Sequence, residues 1–117
     1  MKDDIRVILA DNNVQDRESK KRLLNEQGIQ VVYETGDGKK ALENIKKLKP
    51  DVVVMDMILP GVDGLEILEE CREFTEYKPL FIIATALRRE GLIEQALAQG
   101  ANYYMMKPST PGKIISM

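Results

Sequence analysis

The sequence has no histidine, and Cys71 is its one cysteine. Without histidine the Ser-His and Cys-His hydrolase triads have no base. A lone cysteine forms no intrachain disulfide, which points to a reducing compartment. Aromatic residues are 5% of the chain, so a core must come from Ile, Leu, Val, Met and Ala. The net charge of −2 supplies no field for gripping a nucleic-acid backbone, so this domain is not expected to bind nucleic acid directly. No apolar run approaches the ~20 residues of a membrane span, and no membrane association is expected. Met1-Lys2-Asp3-Asp4 leads into a strand-like run without the pattern of a signal peptide. A cytoplasmic chain with one domain spanning 1–117 is therefore expected.

What is present is 44% hydrophobic residues in short, ordered runs. Ile5 to Ala10, Ile29 to Thr35, Val52 to Met55, Leu80 to Ala84 and Tyr103 to Met106 read as strands. Between them lie helical patterns. The first follows a cap at Asn12 or Asn13 and ends near Gly28. The second follows the turn Gly36-Asp37-Gly38, carries Ala41, Leu42, Ile45 and Leu48 on one face, and stops at Pro50. The third runs from Gly64 to Phe74 with Leu65, Ile67, Leu68 and Cys71 spaced for burial, and the fourth from Glu90 to Gln99, closed by Gly100. Thr110 and Pro111 open a fifth, with Ile114 and Ile115 beginning its apolar face. That last helix is too short to cover a sheet edge, so it is expected to be truncated, with any effector domain absent from this chain. Apolar strands alternating with amphipathic helices predict an α/β fold, a doubly wound five-stranded parallel sheet of order 2-1-3-4-5, as in flavodoxin-like folds.

In that order the first and third strands flank the crevice where ligands bind. Asp11 ends the first and Asp56 the third. Two carboxylates at ~4 Å repel by about 4 kcal/mol at an effective dielectric of 20, so the pair calls for a cation. Mg²⁺ is the usual partner of carboxylate plus phosphate. Thr85 ends the fourth strand with a hydroxyl donor. Lys107 follows the fifth with an ammonium, and its bond to Pro108 is a candidate cis peptide. Singly, each has an ordinary explanation: a helix cap, a turn, a surface lysine. Together they are a nucleophile, a metal site, a hydroxyl and an ammonium, the parts of a phosphoryl-transfer site.

These residues, with Ala10-Asp11-Asn12-Asn13, Pro50-Asp51, Leu59-Pro60-Gly61-Val62-Asp63-Gly64, Ala84-Thr85-Ala86, Gly100-Ala101 and Lys107-Pro108, resemble the receiver domains of two-component response regulators, the CheY-like superfamily. The resemblance spans nearly the whole chain. Within it, the Asp56-to-Gly64 loop and Gly100-Ala101-Asn102-Tyr103-Tyr104 are most similar to receivers of the stage-zero sporulation transcription factor. The resemblance implies Asp56 as phosphoacceptor and Asp11, Asn12, Asp56 and the backbone carbonyl of Ile58 around Mg²⁺, with Mn²⁺ or Ca²⁺ as substitutes. It implies that Lys107 pairs with Asp56 and then with the phosphoryl oxygens. Thr85 and Tyr104 would form the switch, although Tyr104 reads equally well as an edge aromatic. It further implies a sensor histidine kinase or histidine phosphotransferase as donor, a self-modifying switch rather than a turnover enzyme, a partner or effector surface switched in transcription regulation, and a homodimer through the helix 4-strand 5-helix 5 face.

Three departures stand out. Asn12 replaces an acid beside the metal, so Mg²⁺ is expected to bind weakly. The first helix has only Val14, Leu23 and Leu24 as sizeable apolar residues. Either aliphatic Lys and Arg stems cover the sheet there or the helix is loosely held. Ile58 and Leu87 flank the attacking-water path with apolar side chains, so the acyl phosphate is expected to hydrolyse slowly. The alternatives are a pseudo-receiver that Asn12 keeps unphosphorylated, a haloacid-type phosphatase and a flavin carrier. The phosphatase needs an acid where Ile58 stands. The flavin carrier needs a phosphate-binding loop where acidic Asp11-to-Asp16 lies.

Overall fold

Side chains alternate across a strand, and on this chain both sides of the alternation are apolar. In a computed structural model, which describes residues 5–74, 76–85 and 91–106, that pattern forms a sheet covered on both faces. The elements follow in the order β1 (Arg6–Ala10), α1 (Val14–Glu26), β2 (Gln30–Thr35), α2 (Gly38–Leu48), β3 (Val52–Met55), α3 (Gly64–Cys71), β4 (Leu80–Thr85), α4 (Leu92–Ala98) and β5 (Tyr103–Met106). The sheet is parallel throughout, with strand order β2-β1-β3-β4-β5. This is the order expected from the sequence.

One face carries Ile8 and Ala10 of β1, Val53 and Met55 of β3, and Phe81 and Ile83 of β4. Ala41 and Ile45 of α2 and Ile67, Leu68 and Cys71 of α3 pack with them. The other face carries Val7, Leu9, Val54 and Ile82, joined by Leu24 of α1.

The helix starts follow their capping residues. Of the two asparagines, Asn13 caps α1, its side chain accepting from the Asp16 N–H at 2.9 Å. Asp37 caps α2 by accepting from Lys40, and Asp63 forms a reciprocal capping box with Glu66 at α3.

The ends differ in small ways from expectation. α3 stops at Cys71 rather than Phe74, because Glu73 and Phe74 donate to carbonyls only three residues back, tightening the last turn. α4 begins at Leu92, after Gly91, whose φ of 90° lies in the left-handed region. β4 extends one residue further, to Thr85. Glu90 and the fifth helix expected from Thr110 lie outside the described residues. Among the described residues no helix is long and apolar enough to cross a membrane.

Candidate functional site

The register of the sheet aligns the strand ends that carry the chemistry. Ala10 pairs with Met55, Met55 with Ile83, and Thr85 with Met106. Asp11 and Asp56 are the next residues on β1 and β3, so both leave the sheet at its carboxyl edge, where β1 and β3 lie side by side. The Asp56 N–H donates to the Ala10 carbonyl at 2.8 Å, and the Asp11 N–H to the Thr35 carbonyl at 3.0 Å. Both acids are buried, Asp11 to 4% and Asp56 to 7% exposure. Carboxylates at that depth require partners.

The loop after Asp56 is clamped by two glycines. Gly64 donates its N–H to the Met57 carbonyl at 2.8 Å, and a Cβ there would come within 2.8 Å of the Met57 Cα. Gly38 donates to the Pro60 carbonyl at 2.9 Å, and a Cβ there would lie 1.6 Å from the Val62 carbonyl oxygen. A side chain at either position would push the loop off its seat. Met57 and Leu59 are buried as its anchors, while Ile58 between them is 50% exposed. The Ile58 N–H donates to Asp56 Oδ1 at 3.2 Å. Asn12 is exposed beside this mouth.

Helix α1 reaches the same place from the other side, through residues that the sequence alone did not single out. Lys20 is 4% exposed and places Nζ 3.2 Å from Asp11 Oδ2. The Asn13 N–H donates to Asp11 Oδ1 at 2.9 Å. One helical turn before Lys20, Arg17 donates to the Asp11 carbonyl at 2.6 Å and to Glu34 at 3.1 Å. Glu34 also pairs with Lys21 at 2.6 Å. Of the two explanations for the polar first helix, the covered sheet is the one found, because the Lys20 stem is buried with Leu24 four residues on. The missed signal was position: 17, 20 and 24 share one helical face, and Leu24 shows that this face turns inward.

The remaining expected site residues are only partly described. Thr85 closes β4 opposite Met106, but its side chain lies outside the described residues. So do Lys107, the Lys107-Pro108 peptide and Leu87. Tyr104 is half-buried in β5 and packs against the larger core. Cys71 is buried, and burial pushes its thiol up to about 12, so it is not a nucleophile near neutral pH.

The oxygen donors suit a hard divalent cation: the Asp11 and Asp56 carboxylates, with the Asn12 amide and Ile58 carbonyl close in sequence. Among the described residues no three His, Cys, Asp or Glu side chains cluster as metal ligands. A cation here would depend on amide, carbonyl and water oxygens to complete its shell. The donors fit Mg²⁺ with one qualification set by the geometry: both oxygens of Asp11 already accept, one from Asn13 and one from Lys20.

Comparison with known proteins agrees with this architecture. The profile of the response regulator receiver domain family matches residues 7–117. The chemotaxis protein CheY of Thermotoga maritima is 27% identical over 110 residues, covering 94% of this chain and 91% of that protein. The transcriptional regulatory protein PdtaR of Mycobacterium tuberculosis is 33% identical over 110 residues, covering 94% of this chain and 53% of its own length. The chain thus spans nearly all of the first relative and about half of the second. Among solved structures, the signal receiver domain of NarL from Mycobacterium tuberculosis superposes with a TM-score of 0.91 at 33% identity, covering 98% of this chain and 93% of that one.

Proposed function

We propose a function from one premise: this chain belongs to the response regulator receiver domain family. Its role is phosphorelay signalling, with Asp56 as phosphoacceptor for a phosphohistidine carried by a sensor histidine kinase or a histidine phosphotransferase. The observation that carries this reading is the pair of buried carboxylates, Asp11 and Asp56, side by side at the carboxyl edge of β1 and β3.

The chemistry follows from what these residues can do. A carboxylate oxygen of Asp56 attacks phosphorus in line. The new O–P bond forms as the P–N bond to the donor imidazole breaks, and the imidazole leaves with the electron pair. The glycine-clamped loop holds Asp56 in place, and the Ile58 N–H orients its Oδ1. Lys107 pairs with Asp56 and then with the phosphoryl oxygens, and Thr85 donates its hydroxyl to them. When bound by Asp11, Asn12, Asp56 and the Ile58 carbonyl, Mg²⁺ (or Mn²⁺ or Ca²⁺) supplies positive charge against the transferring oxygens. Movement of Thr85 towards the acyl phosphate opens space for Tyr104, and the surface of α4, β5 and the following helix changes its preferred partner.

The output is a partner or an effector domain outside residues 1–117. Transcription regulation is supported by the relatives named as transcriptional regulators, of which this chain matches about half. The narrower sporulation reading rests on the loop residues named above. A homodimer through the face formed by α4, β5 and the helix that follows, and a cytoplasmic location, complete the proposal.

A second reading has its own support. Asn12 and the Lys20–Asp11 ion pair both lower the negative charge of the pocket, as in a pseudo-receiver that never takes phosphate. One experiment separates the two. The chain is incubated with acetyl phosphate over a range of Mg²⁺ concentrations, and its intact mass is compared with that of Asp56→Asn. Gain of one phosphoryl group in the wild type alone supports the switch. No gain at any Mg²⁺ concentration supports the pseudo-receiver.

A further inference from the structure

We infer that Lys20 is a resident cation of the acidic pocket, competing with the divalent ion for Asp11. The inference rests on the receiver reading for the identity of the pocket, and on three observations for the competition. First, Lys20 Nζ lies 3.2 Å from Asp11 Oδ2, with both side chains only 5% exposed. An ammonium at that depth is held by its charge partner rather than by water. Second, the other oxygen of Asp11 is already engaged by the Asn13 N–H at 2.9 Å. A divalent ion approaching this carboxylate must displace the ammonium or share the acid with it. Third, the neighbouring position holds the neutral amide of Asn12 where a second carboxylate would favour the ion.

The two features act in the same direction. Asn12 removes a negative charge from the pocket, and Lys20 adds a positive one. Each makes the pocket less attractive to a divalent cation. The same ammonium compensates charge on Asp11 when no ion is bound. Lys20 is a positioning residue: it acts on the metal through Asp11. Arg17, on the same face of α1, is directed to the Asp11 carbonyl and to Glu34, and does not enter the competition for the carboxylate.

Mn²⁺ binding, followed by loss of the free-ion electron paramagnetic resonance signal, tests this without reference to phosphorylation. Lys20→Met keeps most of the aliphatic stem and removes the charge. It is expected to bind Mn²⁺ at least about tenfold more tightly than the wild type. Lys20→Arg, which keeps the charge, is expected to stay near the wild-type affinity, which a purely structural role for the stem would not predict. Thermal melts give a second readout. Lys20→Met should melt lower than the wild type in chelator, because the buried ion pair with Asp11 is lost, and should gain more from added Mg²⁺. If Lys20→Met is unfolded in chelator, Lys20→Gln carries the same expectation for Mn²⁺ affinity, because its amide is uncharged. Unchanged or weaker Mn²⁺ binding in the neutral variants overturns the inference. The acetyl phosphate experiment reports separately on Asp56, so tight metal binding by Lys20→Met with no phosphoryl gain would leave the competition standing and remove the switch.

Discussion

Among the described residues, the two faces of the sheet are built differently. On the α2-α3-α4 side, buried residues from three strands and three helices interlock as one apolar body that includes Ile8, Ile45, Val53, Met55, Ile67 and Ile83. On the α1 side, the described apolar cluster is Val7, Leu9, Leu24, Val54 and Ile82, with Ile29, Val31 and Val52 at its margin. There α1 contributes charge as well as apolar surface, through Lys20 to Asp11 and through Arg17 and Lys21 to Glu34. Near neutral pH and at moderate salt, apolar packing responds little to either, whereas ion pairs respond to both. The face next to Asp11 is therefore the one whose packing can register the charge state of the pocket.

Truncations on the two faces should give the largest effects and should differ. Ile67 is fully buried against the larger core. Ile67→Ala is expected to cost about 4 kcal/mol, near the upper part of the range for core truncations. Leu24 is also buried but has fewer apolar neighbours among the described residues. Leu24→Ala is expected to cost about 2 kcal/mol, measured for both by urea unfolding at neutral pH. Equal costs would erase the distinction between the faces.

Much of this arrangement was legible in the sequence. The limits of β3 and β5 were read to the residue, because a short apolar run between turn signals has few alternatives. Asp11 and Asp56 were found because they end apolar strands that the topology makes neighbours. Lys20 was not found, because a lysine in a charged helix ordinarily faces water. Its burial depends on the tertiary contact with Asp11, nine residues away in sequence, and the only local sign of it is the helical face it shares with Leu24. The end of α3 was placed too late because Phe74 continues the apolar spacing even though the backbone has already tightened.

The thiol of Cys71 offers a smaller effect on the apolar face. Burial pushes it up from 9.0 to about 12. The unfolded thiol therefore ionises first as pH rises. The folded state keeps its full advantage below pH 9.0 and loses it progressively as pH climbs towards 12. The linkage limit is about 1.4 kcal/mol per pH unit. Cys71 borders a small cleft that Arg72, Lys78 and Gln99 also line, and solvent screening there reduces the expected slope to roughly half that value. Urea unfolding of the wild type and Cys71→Ala at several pH values above 9.0 measures the difference in slope. Parallel curves would place the thiol in water rather than in the core.

The smallest expected effect lies on the charged face, at Glu34. The hydrogen bond from Lys21 is the main cause holding its carboxyl below the usual range, opposed by burial and aided by Arg17. The stabilisation is present above the unfolded carboxyl pKa of 4.5 and is lost as pH falls through the lower folded value. Because the pair is partly exposed to solvent, its contribution is roughly 0.5 kcal/mol. Glu34→Gln should therefore melt slightly below the wild type at neutral pH, and the gap should close in acid. Added salt should narrow it too, since solvent ions screen a pair at this depth. Ile67→Ala should keep its full deficit under the same salt series, because no charge is involved. A Glu34→Gln gap that persists in acid and in high salt would mean that the glutamate holds α1 against β2 by packing, and the α1 face would then resemble the other in kind.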